Sequence, residues 1–415
     1  MEERDAVTLS ARERQERLGI ALTCMLGTLL LFMSFWLAYH QLTDLPSADL
    51  QGHLRFAKEL TKVTVFRELL TGDDRMWHLL VKVLHWLGMS WNYAGAGATA
   101  AAITAAYAVF CALLRRELPH LNRLAVPVGA LTLCLVGPIY MPWYSETIYR
   151  GQDSPNIWHS PTQIMVRPFA LLAFYLTVRI YRRWRAAEGY PQRAYASRGE
   201  AALCTALITL SVWGKPCYFQ VIVPALGVLL LIDLVRSRGK SFLFAVKMAA
   251  AYVPGALLTA MKFFESFFVE SETSGIGMEI APLAVWSHNS NSILISVLLL
   301  LAFPLFVILI DWKRFFRSVQ GQLALLTLAM GAAMKALLAE IGSRRYHGNF
   351  GWGYIMAVVI VWFVTFCHFL DLMTGDRLTG RRYRVAAWVG WTLLALHLLS
   401  GIVYYCILAS TNTMC

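Results

Sequence analysis

The chain reads as an all-α polytopic membrane protein, a bundle of about eleven transmembrane helices with interfacial helices in its first outer loop. Three observations predict this. Of 415 residues, 58% are hydrophobic and 15% charged, and the mean hydropathy of +0.53 is far above that of a soluble domain. The apolar residues gather in runs of about 20, the length that crosses ~30 Å of hydrocarbon, where barrel strands would alternate over roughly 10. The 14 Trp, 17 Tyr and 22 Phe beside 28 Gly suit helices that pack through small residues and carry aromatics at the interfaces. A water-soluble enzyme and an outer-membrane barrel are both excluded.

The first span, 18–38, follows the acidic-basic start MEERDAVTLSARERQER and is too long for a signal-peptide core, so it reads as uncleaved. The first outer loop, 39–92, comes next. Within it Met76–Trp91 is apolar but interrupted by His78, Lys82 and His85, which suits an interfacial helix rather than a crossing. Further spans are expected at 93–114, 123–141, 163–181, 200–216, 218–235, 241–262, 290–311, 322–340, 353–373 and 385–408. The whole of 1–415 is then a single transmembrane domain with no separate soluble domain. No repeat of 20–50 residues marks a solenoid or a duplicated transporter half. The eight Cys show no CxxC or Cys/His spacing, so cysteine supplies neither a disulfide framework nor a metal site.

The net charge of +12 is a topology signal and not the footprint of a nucleic-acid partner. With the N-terminus cytoplasmic, Arg115, Arg116 and Arg123, then Arg182, Arg183 and Arg185, then Arg236, Arg238 and Lys240, then Lys313, Arg314 and Arg317, and finally Arg381, Arg382 and Arg384 all fall inside. The exception is the first outer loop, where Arg55, Lys58, Lys62, Arg67, Arg75 and Lys82 are interleaved with Asp and Glu. Long loops obey the rule poorly.

With this orientation the varied polar residues collect on the outer face. Asp49 and His53, in DLQGHLRFA, share a helix face at four-residue spacing. Asp49 is placed to take a proton from an acceptor hydroxyl, with His53 as phosphate contact or second hydrogen-bonding group. The blander reading is a capping Asp with His53 packed at headgroup level. A second cluster runs from Tyr144 to Thr162 and includes Glu146, Arg150, Asp153, Trp158 and His159, an aromatic and hydrogen-bonding mixture suited to a sugar. An ordinary interfacial loop with aromatic anchors has similar composition. Arg167 lies just inside the next span, where an unpaired charge costs roughly 2.5–3.5 kcal/mol, so an anionic partner or a wet cavity is expected.

Lys215, beside the helix-breaking Pro216, implies a cavity or a snorkelling side chain. Glu340, Arg344, Arg345, His347 and Asn349, with Gly342, Gly348, Gly351 and Gly353 among them, form a donor-rich turn whose guanidinium groups match phosphate oxygens. Contact with anionic headgroups is the alternative. The loop 263–289, with Glu265, Glu270, Glu272 and Glu279, has carboxylates that could bind a divalent ion, though a solvated loop is the favoured reading. Lys247 and Lys335 lie in apolar spans as paired structural charges of unknown partner.

At Asp49 and His53 the chain resembles the GT-C superfamily of integral-membrane glycosyltransferases, in its Asp-x-x-x-His form. The Lys215-Pro216 pair before aromatics and the late RRYHGNFGWGY segment look like bacterial cell-surface polysaccharide members of that group. The chain departs from the families that carry an Asp-Glu pair at the first-loop site, because Asp49 is followed by Leu50. The resemblance implies a GT-C-like bundle in a bacterial plasma membrane with an extracytoplasmic active site. It also implies transfer of a sugar from a polyprenyl-phosphate donor to a glycan or glycolipid acceptor, with Asp49 as base.

The physical reading runs parallel, since a lipid phosphate arriving from the bilayer must meet cations at its boundary. Arg344, Arg345, Lys215 and Arg167 are expected there as the phosphate clamp, without metal or other cofactor. Other readings are a flippase or transporter of a lipid-linked sugar and a polysaccharide polymerase or ligase using a diphosphate-linked donor. An acyltransferase would want an accompanied His deep in a span, which neither His368 nor His397 provides.

Overall fold

A computed structural model of the protein describes residues 2–45, 49–60, 75–144, 148–187, 196–264, 277–375 and 380–410. It is helical almost throughout. The helices are α1 (Glu2–Thr43), α2 (Asp49–Glu59), α3 (Arg75–Trp86), α4 (Trp91–Glu117), α5 (Ala125–Leu135), α6 (Pro161–Ala186), α7 (Arg198–Gly214) and α8 (Cys217–Arg236). After them come α9 (Phe242–Phe264), α10 (Ala284–Asn289), α11 (Ile293–Ile310), α12 (Trp312–Arg317), α13 (Val319–Leu337), α14 (Trp352–Thr374) and α15 (Gly380–Ser410). Two three-residue strands, β1 (Met278–Ile280) and β2 (Leu338–Glu340), pair antiparallel with Met278 opposite Glu340 and Ile280 opposite Leu338.

Among the described residues, eight helices are long and apolar enough to cross a membrane: α1 from Glu13 onward, α4, α6, α8, α9, α11, α14 with its preceding turn, and α15. The chain is thus an all-α, membrane-embedded protein. The other three segments expected to span fall on α5, α7 and α13, and each has a local reason to fall short. Helix α5 stops after 11 residues because 136–140 leaves it in extended form, with Gly137 N–H donating to His397 O and Ile139 N–H to Leu299 O. Helix α7 ends after 17 residues, just ahead of Pro216, whose ring disfavours helix in the residue before it. Helix α13 carries Gln320, Gln322 and Lys335 and passes directly into β2. Helix α3 has 12 residues and so is about 18 Å long at ~1.5 Å per residue, short of the ~30 Å of a hydrocarbon core.

Small residues set the closest approaches. A methyl group on Gly331 of α13 would stand 2.7 Å from Tyr354 Cα of α14, and one on Gly401 of α15 would overlap Leu135 O. Helix α11 bends at Leu301, which leaves helical geometry three residues before Pro304. His397 of α15 closes that break. Its Nδ1 lies 2.6 Å from Gly137 O, which can only accept, so Nδ1 carries the proton and the bare Nε2 accepts from Phe303 N–H at 3.4 Å. With both nitrogens occupied by backbone, His397 is part of the framework.

Ion pairs gather one end of the bundle. Arg115 and Arg123 reach Glu16 at 2.6 Å each, Arg182 reaches Glu117 at 2.9 Å, Arg185 reaches Asp233 at 2.9 Å and Arg314 reaches Asp371 at 2.7 Å. These contacts involve the start of α1 and the ends of α4, α6, α8 and α14. Thr162, Cys217 and Trp352 lie at the other extremities of α6, α8 and α14, and Asp49 opens α2 after the far end of α1, so they mark the opposite end of the bundle.

Candidate functional site

The site begins where α1 ends. Asp49 opens α2, and its carboxylate, 41% exposed, has His53 one turn along with Nε2 at 3.6 Å. Leu50, Leu54 and Ala57 bury the other face of α2 and hold it against the bundle, which leaves the Asp49–His53 edge turned to a mixed surface. His53 Nδ1 lies 3.0 Å from Nε2 of His78 on α3. His78 is 1% exposed, and its neighbour Trp77 donates from Nε1 to Thr99 Oγ1 at 3.0 Å, which fastens α3 to α4.

Two other segments bring His159 and Lys215 within electrostatic reach of Asp49. Burial by itself would raise the Asp49 carboxyl, but His53, His159 and Lys215 outweigh it, and the group is held below its ordinary value. It is therefore ionised at neutral pH. His159, just before α6, is 2% exposed and sits edge-on to Tyr149 with centroids 4.3 Å apart, within 3.4 Å of the Tyr404 hydroxyl. Burial pushes its imidazole down to about 4, with Asp49 opposing that shift and Arg150 adding to it. Arg150 donates from Nε to the Tyr149 hydroxyl at 2.5 Å.

Lys215, at the α7–α8 junction, donates to Thr162 Oγ1 at 3.1 Å and lies over the Trp352 ring, 4.4 Å from its centroid. From there a line of contacts leads into the late Arg-containing turn. Trp352 Nε1–H donates to Asn349 Oδ1 at 3.2 Å, Asn349 Nδ2–H to Glu340 Oε2 at 2.7 Å, and Glu340 Oε1 pairs with Arg344 Nε at 3.4 Å. Arg345 Nε pairs with Glu279 Oε1 at 2.8 Å, across the β1–β2 ribbon. Both Arg side chains remain about half exposed, at 46% and 43%, and His347 is exposed beside them. A ligand phosphate there would compete with two carboxylates for the guanidinium groups.

Asp153, Trp158 and Arg167, singled out from sequence, are enclosed by the protein, as His159, Lys335 and Glu340 are. Asp153, in the left-handed conformation with φ 62°, is 3% exposed and paired with Lys335, whose ammonium lies 4.4 Å from the Trp286 centroid and 5.4 Å from that of Tyr354. This pair names the partner that the sequence left open for Lys335, and it joins the 148–160 loop to α13. Trp158, 4% exposed, packs edge-on to Tyr405 at 5.3 Å.

Arg167 is 4% exposed, and its hydrogen-bond partners are neutral: Nη1 donates to Asn156 Oδ1 at 2.7 Å and Nη2 to Pro155 O at 2.9 Å. Asn156 in turn donates to Leu133 O at 2.9 Å and Val136 O at 2.8 Å, so Arg167 holds the loop against the end of α5 where an anionic partner or a wet cavity was expected. Glu146, and Glu265, Glu270 and Glu272 with it, lie outside the described residues.

Sequence reasoning gave His78, Thr162 and Trp352 no role in the site. The signal for His78 was the polar interruption of an otherwise apolar stretch, which located a helix at an interface without saying what the ring would meet. Among the described residues no three His, Cys, Asp or Glu side chains converge as a metal ligand set. No family model matches the chain, and a search of curated proteins returned no match.

Proposed function

We propose that the protein is an integral-membrane glycosyltransferase that moves a sugar from a polyprenyl-phosphate donor to a hydroxyl of a glycan or glycolipid acceptor. One observation carries the reading: an ionised, part-exposed Asp49 beside His53 on one helix, within electrostatic reach of His159 and Lys215 from two other segments, at the end of an apolar bundle opposite the ion pairs of Glu16, Glu117, Asp233 and Asp371. Asp49 accepts the proton of the acceptor hydroxyl as its oxygen attacks the sugar carbon. Lys215, with Arg344 and Arg345 along the line of contacts through Trp352, receives the lipid phosphate as it leaves and stabilises the charge that develops there. Arg167 supports the loop that carries His159 and is not a phosphate contact.

Tyr149, Arg150 and the exposed His347 offer rings and donors to the sugar or the acceptor. With the Arg-rich end cytoplasmic, by the usual bias of Lys and Arg, the site faces the extracytoplasmic side of a bacterial plasma membrane.

The test is transfer of labelled sugar from synthetic polyprenyl-phosphate donors by purified protein in nanodiscs, with wild type, Asp49→Asn and Arg344→Ala side by side and with or without EDTA. The expected result is release of free polyprenyl phosphate that falls about 10²–10⁴-fold in Asp49→Asn and survives EDTA. Unchanged transfer by well-expressed Asp49→Asn would remove the base role. No release from any donor, with lipid still binding through Arg344, would favour a flippase.

A further inference from the structure

A cleft of about 360 Å³ opens between α8 and α13, at the end of the bundle that holds the ion pairs of Glu16, Glu117, Asp233 and Asp371. Leu229 and Ile232 of α8 and Leu325 and Leu326 of α13 line it, with the Phe316 ring of α12. Its polar lining is Arg236 and Gln322. Along α8 the lining residues recur at spacings of three and four, so they share one face, and α13 repeats the pattern from Gln322. On both helices the polar residue lies toward the end of the bundle and the aliphatic residues lie deeper. From Arg236 to Leu229 the cleft follows α8 for about 10 Å, at ~1.5 Å per residue.

The mouth of the cleft sits where hydrocarbon gives way to headgroups. Helix α8 is long and apolar enough to span and ends at Arg236. On α12, Trp312 and Phe316 are one turn apart and 54% and 50% exposed, as aromatic side chains are at a membrane boundary. Charge separates this place from the rest of the same end, where Arg115, Arg123, Arg182, Arg185 and Arg314 all meet carboxylates. Among the described residues no carboxylate pairs with Arg236, with Arg238 or Lys240 in the turn after α8, or with Arg317 beside Phe316. Asp233, one turn before Arg236, is committed to the interior: it is 7% exposed, and it accepts from Arg185 at 2.9 Å and from the Tyr181 hydroxyl at 2.5 Å. Gln322 Oε1 accepts from Arg185 Nη1 at 2.7 Å, and Nε2 gives one hydrogen to Phe316 O at 2.7 Å, which leaves its second N–H as a donor.

We propose that this cleft binds an anionic phospholipid, with the phosphate at Arg236 and an acyl chain between the aliphatic residues of α8 and α13. The lipid comes from the leaflet at this end of the bundle, so its chain reaches the cleft without crossing water. A zwitterionic lipid carries its own ammonium beside the phosphate and gains less from cations that have no protein anion. A second copy of the chain packed here by two-fold symmetry would set Arg236 and its basic neighbours against their own copies, and like charges oppose that contact. The site lies at the far end of the bundle from Asp49 and is independent of sugar transfer.

The test uses the full chain in phosphatidylcholine nanodiscs with a trace of phosphatidylglycerol that carries a photoactivatable group in one acyl chain. Labelled peptides are identified by mass spectrometry. Label is expected on 229–236 and 322–326, displaced by unlabelled phosphatidylglycerol but not by added phosphatidylcholine or by glycerophosphate, which has the charge without the chains. Arg236→Gln should lower the label about fivefold, and the double variant with Arg317→Gln should lower it further. Leu326→Trp, which fills the cleft, should remove it. Competition in wild type decides the matter by itself where a variant does not fold. A phosphatidylcholine probe that labels the same segments equally, with no response to Arg236→Gln, would overturn the proposal and show boundary lipid only. Absence of label from both segments would also overturn it, and lipid-independent dimers in native mass spectrometry would then assign the cleft to a second copy.

Discussion

Replacing His159 by Gln should flatten the acid side of the stability curve. The imidazole is 2% exposed, and burial holds it neutral down to about 4, against an ordinary value of 6.5. Below 6.5 the unfolded chain takes up a proton that the folded chain refuses, so stability contributed by a neutral His159 is complete above 6.5 and is lost as pH falls through 4. A difference of that size corresponds to about 3 kcal/mol, at about 1.4 kcal/mol per pH unit. The assay is a denaturant titration in mixed micelles at several pH values from 7.5 down to 4, with wild type and His159→Gln in parallel. The gap between their unfolding free energies should close or reverse by about 3 kcal/mol over that window. Parallel curves with the same pH slope would refute the account, since they would show His159 to titrate alike in the folded and unfolded chains.

Two further substitutions test the scaffold around the site. Lys335→Met should cost about 3–5 kcal/mol, because it leaves the Asp153 carboxylate buried without its cation; the double variant with Asp153→Asn should recover much of this, as thermal unfolding in detergent would show. Gly331→Ala should cost about 1–3 kcal/mol, because the new methyl meets the Tyr354 backbone rather than a side chain that can turn away; a melting temperature equal to wild type would show that α13 and α14 can separate at little cost.

The legible parts of the fold were those written in local hydropathy. Every expected span overlaps a helix, and the short α3 overlaps Met76–Trp91, where His78, Lys82 and His85 interrupt the apolar run. Hydropathy does not report where a helix stops. The extended exit from α5 depends on hydrogen bonds to α11 and α15, contributed by residues far along the chain, and an apolar count through 123–141 misses it.

For the site, the Asp49–His53 pair was readable because both residues sit on one helix at a fixed spacing. The His53–His78 contact joins α2 to α3, and Lys215 over Trp352 joins the α7–α8 junction to the start of α14. No local pattern encodes either. The same limit explains Arg167 and Asp153. Composition marked Arg167 as a charge too expensive to bury alone and Asp153 as part of a sugar-binding cluster, and it was silent on whether the partner of either would be a ligand or the protein. Tertiary packing supplied Asn156 and Pro155 to the first and Lys335 to the second.

By itself, then, the sequence determined a membrane-embedded helical chain and the one helix turn that pairs Asp49 with His53, because both follow from periodicity and from the cost of exposing backbone and charge to lipid. Only the tertiary structure decided which charges are sealed into the framework and which stand open around Asp49. That choice depends on contacts between distant segments, where the desolvation of each charge is offset, or not, by the partners that packing brings to it.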